Sequence, residues 1–345
     1  MHHNPQATFI LAAYNAEETI ARAIDSALAQ TGVSVEVVVV DDCSSDRTTD
    51  IVAAYSDPRV KLVRQEQNRG PGGARNAGLA AARGDWIVIL DADDAVSPGR
   101  TARMMARARV ADAQIVVDNL DVIRLDGARK YMFDEAHLTA VGTLTLAAFI
   151  DSNVLFQTEH NYGYMKPIFE RRFLDEHSLR YDETLPIGED YLLLVSALAK
   201  GGRCAIEPTV GYTYYVRSGS ISRVLKLEHV DAMLAGDARF TKDNQLDTAS
   251  MTAQKRRHRS IVIARSFVIL VDQLKAGSVS GAIRTAWKNP AAVRHLSMPI
   301  SVRLRRMMAP LSAINIFGKS SRTISRTATS PETSEVKQHS PRTGR

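Results

Sequence analysis

The chain has 345 residues, 45% of them apolar and 24% charged, a balance that excludes a wholly disordered, collagen-like or disulfide-stapled protein. Its net charge of +6 divides unevenly: residues 1–250 carry −9 and residues 251–345 carry +15, so the two parts do different electrostatic work. The two cysteines, Cys43 and Cys204, stand in no CxxC or Cys/His spacing, which argues against a zinc module and for reduced thiols in a reducing compartment.

From the amino terminus, short Val/Ile-rich runs alternate with helical spacing. The predicted strands are Phe9 to Ala13, Val35 to Val40, Val60 to Val63, Trp86 to Leu90 and Ile115 to Asp118. Between them, helices are predicted over Glu17 to Gln30, Asp46 to Tyr55, Gly73 to Arg83 and Pro98 to Val110, with Ser45 or Asp46 and Ser97 as candidate N-caps. The alternation predicts an α/β fold with a parallel, doubly wound sheet. Such sheets bind ligands at the carboxyl ends of their strands. There this sequence has Tyr14 and Asn15, then Asp41 and Asp42, then Asp91, Asp93 and Asp94.

After about Ala128 the pattern loosens. Aromatic and charged residues mix through Phe149 to Arg180, and helical runs follow over Asp190 to Ala199, Glu228 to Gln245 and Thr252 to Lys275. Beyond Lys319 a Ser/Thr/Arg/Pro-rich stretch holds too little apolar surface to order itself. No segment offers the roughly 20 apolar residues that span a bilayer. The chain's start carries no signal-peptide pattern, so cytoplasmic residence is expected.

Three segments suggest chemistry. Asp91-Ala92-Asp93-Asp94 crowds carboxylates at a strand end, where they repel unless a cation neutralises them; few carboxylates completed by phosphate and water suit Mg²⁺ or Mn²⁺. Taken alone, that segment also reads as a solvated acidic turn. Asp41-Asp42-Cys43-Ser44-Ser45-Asp46 ends another strand, and a carboxylate there can accept the N3 hydrogen of a uracil or a ribose hydroxyl. Asn68-Arg69-Gly70 through Ala74-Arg75-Asn76-Ala77-Gly78 is a glycine-rich turn opening a helix, with two arginines able to approach a diphosphate.

Together with Ala13-Tyr14-Asn15 and Gly84-Asp85-Trp86-Ile87, these segments resemble the family-2 inverting glycosyltransferases, with a likeness to bacterial exopolysaccharide glucosyltransferases of the succinoglycan type. The resemblance covers roughly residues 6–225. It implies a GT-A fold, a Rossmann-like, mostly parallel sheet flanked by helices. The catalytic domain would be 1–225, its nucleotide-binding part about 6–127 and its acceptor part about 128–225. A basic helical region, 226–318, and a disordered tail, 319–345, would follow.

By the same resemblance the donor contacts would be Tyr14, Asn15, Asp41, Asp42, Arg75, Asp91 and Arg217, with Asp93 on the Mg²⁺ or Mn²⁺ ion. Ile187-Gly188-Glu189-Asp190 matches the family's acceptor-side ED motif, which makes Asp190 the expected base with Glu189 beside it; Lys166 is assigned to the acceptor side as well, though as a residue it reads equally as a pyrophosphate contact or a solvated lysine. Tyr214 to Ser222 resembles a donor-closing loop, without the histidine common near Arg217. His160 is read as an ordinary loop histidine. The QxxRW sequence of processive relatives is absent after Asp190, so one sugar per encounter is expected.

The implied reaction moves one sugar, glucose from UDP-glucose, onto a polyprenyl-diphosphate-linked oligosaccharide. The basic carboxyl-terminal third, with Arg303, Arg305 and Arg306 beside Met307, Leu311 and Phe317, suits peripheral contact with the inner membrane's cytoplasmic face, and equally a helical subdomain whose charges face solvent. A sugar-nucleotide-forming nucleotidyltransferase is the runner-up, but the acidic Ala12 to Glu18 segment lacks its Gly-rich basic loop. Basic residues without a recognised module argue only weakly for nucleic-acid binding.

Overall fold

A computed structural model describes residues 4–157, 161–217 and 225–297. His160, the loop from Ser218 to Ser222, the cationic segment 303–317 and the tail 319–345 lie outside the described residues.

In chain order the elements are β1 (Ala7–Ala13), α1 (Ile20–Leu28), β2 (Val35–Asp41), α2 (Thr48–Ala53), β3 (Val60–Arg64), α3 (Gly70–Ala81), β4 (Trp86–Ile89), β5 (Ala95–Val96), α4 (Arg100–Ala111), β6 (Ile115–Ile123) and β7 (Arg129–Tyr131). There follow α5 (Glu135–Val141), β8 (Thr143–Leu144), α6 (Leu146–Ser152), β9 (Ile168–Glu170), α7 (Arg171–Glu176), α8 (Glu189–Ala199) and β10 (Cys204–Tyr215). Four helices close the compact unit, which runs to Leu296: α9 (Leu227–Asp243), α10 (Thr248–Lys275), α11 (Val279–Lys288) and α12 (Pro290–Val293).

The sheet runs β3-β2-β1-β4-β9-β6-β10-β5, with β7 on β6 and β8 on β10. β1, β2, β3 and β4 pair in parallel; β1, β2 and β4 are largely apolar and buried, whereas β3, at the sheet's edge, is only partly buried, with Lys61 and Arg64 exposed. The register Ala13↔Asp41 and Ile10↔Ile89 brings the segments after β1, β2 and β4 to one edge.

The sheet is mixed rather than wholly parallel, because β9 slots antiparallel between β4 and β6. That insertion decides one feature of the site: an antiparallel strand starts where its parallel neighbours end, so Lys166, just ahead of β9, arrives at the same edge as Asp91. Gly84, in the turn into β4, packs so tightly that a Cβ there would meet the Ala7 carbonyl carbon and the Thr8 nitrogen at 2.6 Å.

Two local expectations change. α4 is capped by Gly99, not Ser97; Pro98 follows Ser97, whose carbonyl accepts the Arg100 N–H while its hydroxyl accepts from Arg103. At α2 the N-cap position falls on Arg47 rather than Ser45 or Asp46; Asp46, one residue ahead, accepts the Thr48 N–H at 2.9 Å, and Ser45 bonds Asn15.

Of the last helices, α10 packs on α6 and α9, and α9 packs on α8. Arg257 of α10 lies 3.7 Å over the Tyr191 ring, pairs with buried Asp237 at 3.1 Å and donates to the Asn153 carbonyl at 2.7 Å. Among the described residues no helix is long and apolar enough to cross a membrane.

Candidate active site

The centre of the site is a cluster of five charged side chains drawn from four segments. Arg75, on the first turns of α3, is 6% exposed. Its Nη2 meets Asp91 Oδ1 at 2.9 Å, and its Nη1 meets Glu189 Oε1 at 2.6 Å and Asp190 Oδ1 at 3.2 Å. Lys166 Nζ bridges Asp91 Oδ2 at 2.8 Å and Asp190 Oδ2 at 3.1 Å.

Burial alone would raise Asp91, but Lys166 and Arg75 reverse this and hold its carboxyl far below the usual carboxylate range. The same burial opposes charge on Lys166, and Asp190 with Asp91 more than restores it, so the amine stays protonated. Glu189 is raised by burial and by Asp190, against the pull of Arg75.

Each member has a structural reason to be there. Gly188, at φ +87°, caps α8 and turns Glu189 and Asp190 onto its first turn, where the helix dipole favours carboxylates. Arg100, fully buried and paired with Asp118 at 2.8 Å, donates to the Lys166 carbonyl at 2.7 Å and fixes the backbone that carries the amine. Asn76 exchanges hydrogen bonds with the Tyr181 backbone at 2.9 Å in both directions, binding α3 to the segment leading into α8.

The acidic segment after β4 divides its labour. Asp94 is buried, accepting from Tyr212 Oη at 2.7 Å and from the Tyr215 N–H at 2.9 Å; burial together with the Asp91 and Asp93 charges pushes its carboxyl up to about 8. Tyr212 Oη also accepts the Asp91 N–H at 3.2 Å, so a single hydroxyl pins both ends of the turn. Asp93 is the outward member, its side chain 42% exposed, with Arg217 Nε 3.9 Å away. Burial and the Asp91 charge raise its carboxyl, opposed by Arg217. Arg22 donates to the Asp93 carbonyl and stacks over Tyr215 at 3.8 Å.

These residues fit a divalent cation held by one or two carboxylates. Asp93 presents half-exposed hard oxygens with only Arg217 nearby among the described residues, at 3.9 Å, and three carboxylates already exceed the two cations of the buried cluster. Among the described residues no three Asp, Glu, His or Cys side chains form a cage, so phosphate and water oxygens would complete the coordination.

The structure redistributes several expected donor contacts. Arg75 does not reach toward a diphosphate, because its guanidinium is buried against three carboxylates. Glu189 is likewise buried on Arg75. Asp41 turns into the loop after β2, accepting from Thr49 Oγ1 at 3.0 Å, with Oδ1 buried and unpartnered. Asn15, at φ +48°, accepts the Ser45 N–H at 2.9 Å and ties the loops after β1 and β2 together. Asp42 accepts the Arg69 N–H at 2.8 Å; burial raises its carboxyl against the backbone N–H groups of Arg69 and Gly70. Tyr14 stands 54% exposed after β1.

The sequence reading missed Tyr212 and the roles of Asp94 and Asn76. No periodic signal marks Asp94, because the Asp94 N–H closes the turn onto the Asp91 carbonyl at 3.1 Å and strand alternation does not run through it.

Comparison with known proteins agrees with this architecture. Residues 8–173 match the family model described as glycosyl transferase family 2. The chain is 61% identical over 305 residues to the succinoglycan biosynthesis protein ExoO of Rhizobium meliloti, covering 88% of each chain. It is 28% identical over 224 residues to the Escherichia coli UDP-Glc:alpha-D-GlcNAc-diphosphoundecaprenol beta-1,3-glucosyltransferase WfaP, covering 62% of this chain and 79% of that one. The crystal structure of S. aureus TarS 1-349 with UDP superposes with a TM-score of 0.58 at 18% identity, over 83% of this chain and 92% of that one. With its GT-A fold and a relative this similar along most of its length, the chain belongs to glycosyltransferase family 2.

Proposed function

We propose that the protein transfers one sugar, glucose from UDP-glucose, with inversion, onto a polyprenyl-diphosphate-linked oligosaccharide in the assembly of a succinoglycan-type exopolysaccharide. The observation that carries this reading is Asp190, held 3.1 Å from Lys166 and 3.2 Å from Arg75, the two cations that also hold Asp91 beside the donor edge. The names of the R. meliloti and E. coli relatives support the pathway and the lipid-linked acceptor. Residues 1–225 would form the catalytic part, with the basic helices after them buttressing its acceptor side.

In an inverting displacement the acceptor oxygen bonds to the anomeric carbon from the face opposite the diphosphate. The bond to the diphosphate breaks with its electron pair, and the acceptor proton goes to a base. Asp190 is that base, and Lys166 and Arg75 hold its carboxylate in place. Asp42 and Tyr14 take the uridine, and Arg217 takes the diphosphate. Arg75 and Glu189 are positioning residues that act through Asp91 and Asp190. A Mg²⁺ or Mn²⁺ ion on Asp93 would offset the charge of the departing diphosphate.

Asp190→Asn should bind UDP as the parent does in calorimetry, yet lose transfer to the lipid-linked acceptor by at least about 10²-fold. Near-parental transfer by the purified variant would mean that the base lies elsewhere. Turnover of a nucleotide-sugar panel that does not favour UDP-glucose would remove the donor assignment and leave the base assignment standing.

A further inference from the structure

α11 is amphipathic in the opposite sense to a helix that serves the core. Of its side chains only Ala282 is buried. Val279, Ile283 and Trp287, spaced by four residues and therefore on one face, are 64%, 63% and 87% exposed. Scattered apolar residues on a surface need no explanation, but three large ones aligned on a ten-residue helix form a contiguous stripe. Arg284 and Lys288 are exposed on the same helix, and Lys275 ends the helix before it.

Charge selects the occupant. From residue 273 to 297 the chain has four Lys/Arg and no Asp or Glu, and from 298 to 345 it has nine Lys/Arg against two Glu. A second copy meeting the stripe through the same helix, or the cationic carboxyl-terminal segment, would bring like charge against like. An anionic lipid surface complements both features, since tryptophan favours the headgroup boundary and flanking Lys/Arg are drawn to acidic lipids.

We infer that α11 docks on an anionic bilayer, its Val279-Ile283-Trp287 stripe entering the interface and Arg284 and Lys288 meeting lipid phosphates. This deepens the proposed function, on which it rests for its biological sense: an acceptor carried by a lipid is met at a membrane surface. The helix, at ten residues, lies in the interface and does not cross it.

The test uses the full chain and vesicles of phosphatidylcholine with or without phosphatidylglycerol. Co-flotation at low salt is expected only with the anionic vesicles. With Trp86→Phe leaving Trp287 as the sole tryptophan, its emission should shift to the blue on those vesicles. Ile283→Ser/Trp287→Ser should lose vesicle partitioning by at least about tenfold, on the order of the loss per large apolar side chain, with UDP-sugar hydrolysis without vesicles unchanged. Arg284→Glu/Lys288→Glu, a surface change with little folding risk, should lose partitioning similarly.

No flotation of the parent, flotation with unshifted Trp287 emission, or flotation undiminished by both variants would overturn the docking surface. So would a dimer in sedimentation that Ile283→Ser/Trp287→Ser dissolves, because the stripe would then belong to a second copy. A protein that docks as expected but transfers no sugar would refute the proposed reaction and leave the docking standing. Transfer to a detergent-solubilised acceptor without vesicle binding would do the reverse.

Discussion

Tyr212 shows how much of the site depends on a residue that need not touch substrate. Its hydroxyl donates to buried Asp94 and accepts from the Asp91 N–H, so the turn bearing Asp93 hangs on one phenol. Gly211 beside it is free of a Cβ because one would stand 2.7 Å from Arg100 Cγ, within the Arg100–Asp118 pair. Tyr212→Phe leaves the Asp94 carboxyl short of a donor where water does not reach. The expected cost is about 1–3 kcal/mol of stability, with weaker UDP binding. Urea denaturation and calorimetry measure both, and an unchanged urea midpoint would refute the role assigned to the hydroxyl.

At the scale of the elements, β2 carries a buried carboxylate that assembles its neighbours. Glu36 accepts from Thr8 of β1 at 2.7 Å, from the Arg83 N–H at 2.7 Å and from the Arg83 guanidinium at 2.7 and 2.9 Å, just after α3 and ahead of the Gly84 turn. Burial pushes its carboxyl up, but Thr8 and Arg83 together bring it below its ordinary 4.5. A lowered folded-state value means that this stabilisation is present above the unfolded value and lost as pH falls through the folded one. The parent's unfolding free energy should therefore fall on acidification below 4.5, and Glu36→Gln should flatten that fall at a cost of about 1–3 kcal/mol at neutral pH. Parallel acid profiles for the two proteins would place the acid sensitivity in other carboxylates.

The same scale explains which parts of the sequence were readable. β1, β2 and β4 stand out as buried, largely apolar runs because covered parallel strands need no polar alternation, and β6 shows the same in its first three residues, whereas edge strand β3 is only partly buried. β10 is longer than any of them yet escapes that pattern: Pro208 and Gly211 interrupt it, and its pairing with β6 shifts register near both. β5 and β8, at two residues each, and β9, at three, are too short for any period to show. Among site residues, those at strand ends were legible because topology puts them there. The Asn76–Tyr181 clamp was not, since it joins residues 105 apart that no local pattern links.

For the molecule as a whole, a buried ion pair within the helices after residue 225 reaches α8 through a stacked ring. Arg257 joins α10 to Asp237 of α9 and, through the Tyr191 ring, to α8, where Asp190 is the preceding residue. Arg257→Ala strands Asp237 as an unpaired buried charge and should cost about 3–5 kcal/mol. Arg257→Lys, which keeps the charge but not the planar stack, should fall between. Chemical denaturation ranks the three proteins, and transfer activity should follow the same order. If stability falls and transfer by the remaining folded protein does not, the helices brace the fold without positioning Asp190.

The placement of β9 also bears on synthesis. β4 and β6 never pair with each other; each waits for a strand that leaves the ribosome only after some 45 residues beyond β6. Until then the nascent chain presents the open margin of Trp86–Ile89, an apolar edge of the kind that invites mispairing with other chains. Filling the gap between β4 and β6 and delivering Lys166 to Asp91 are thus the same event, and β10 joins the far side of β6 only afterwards.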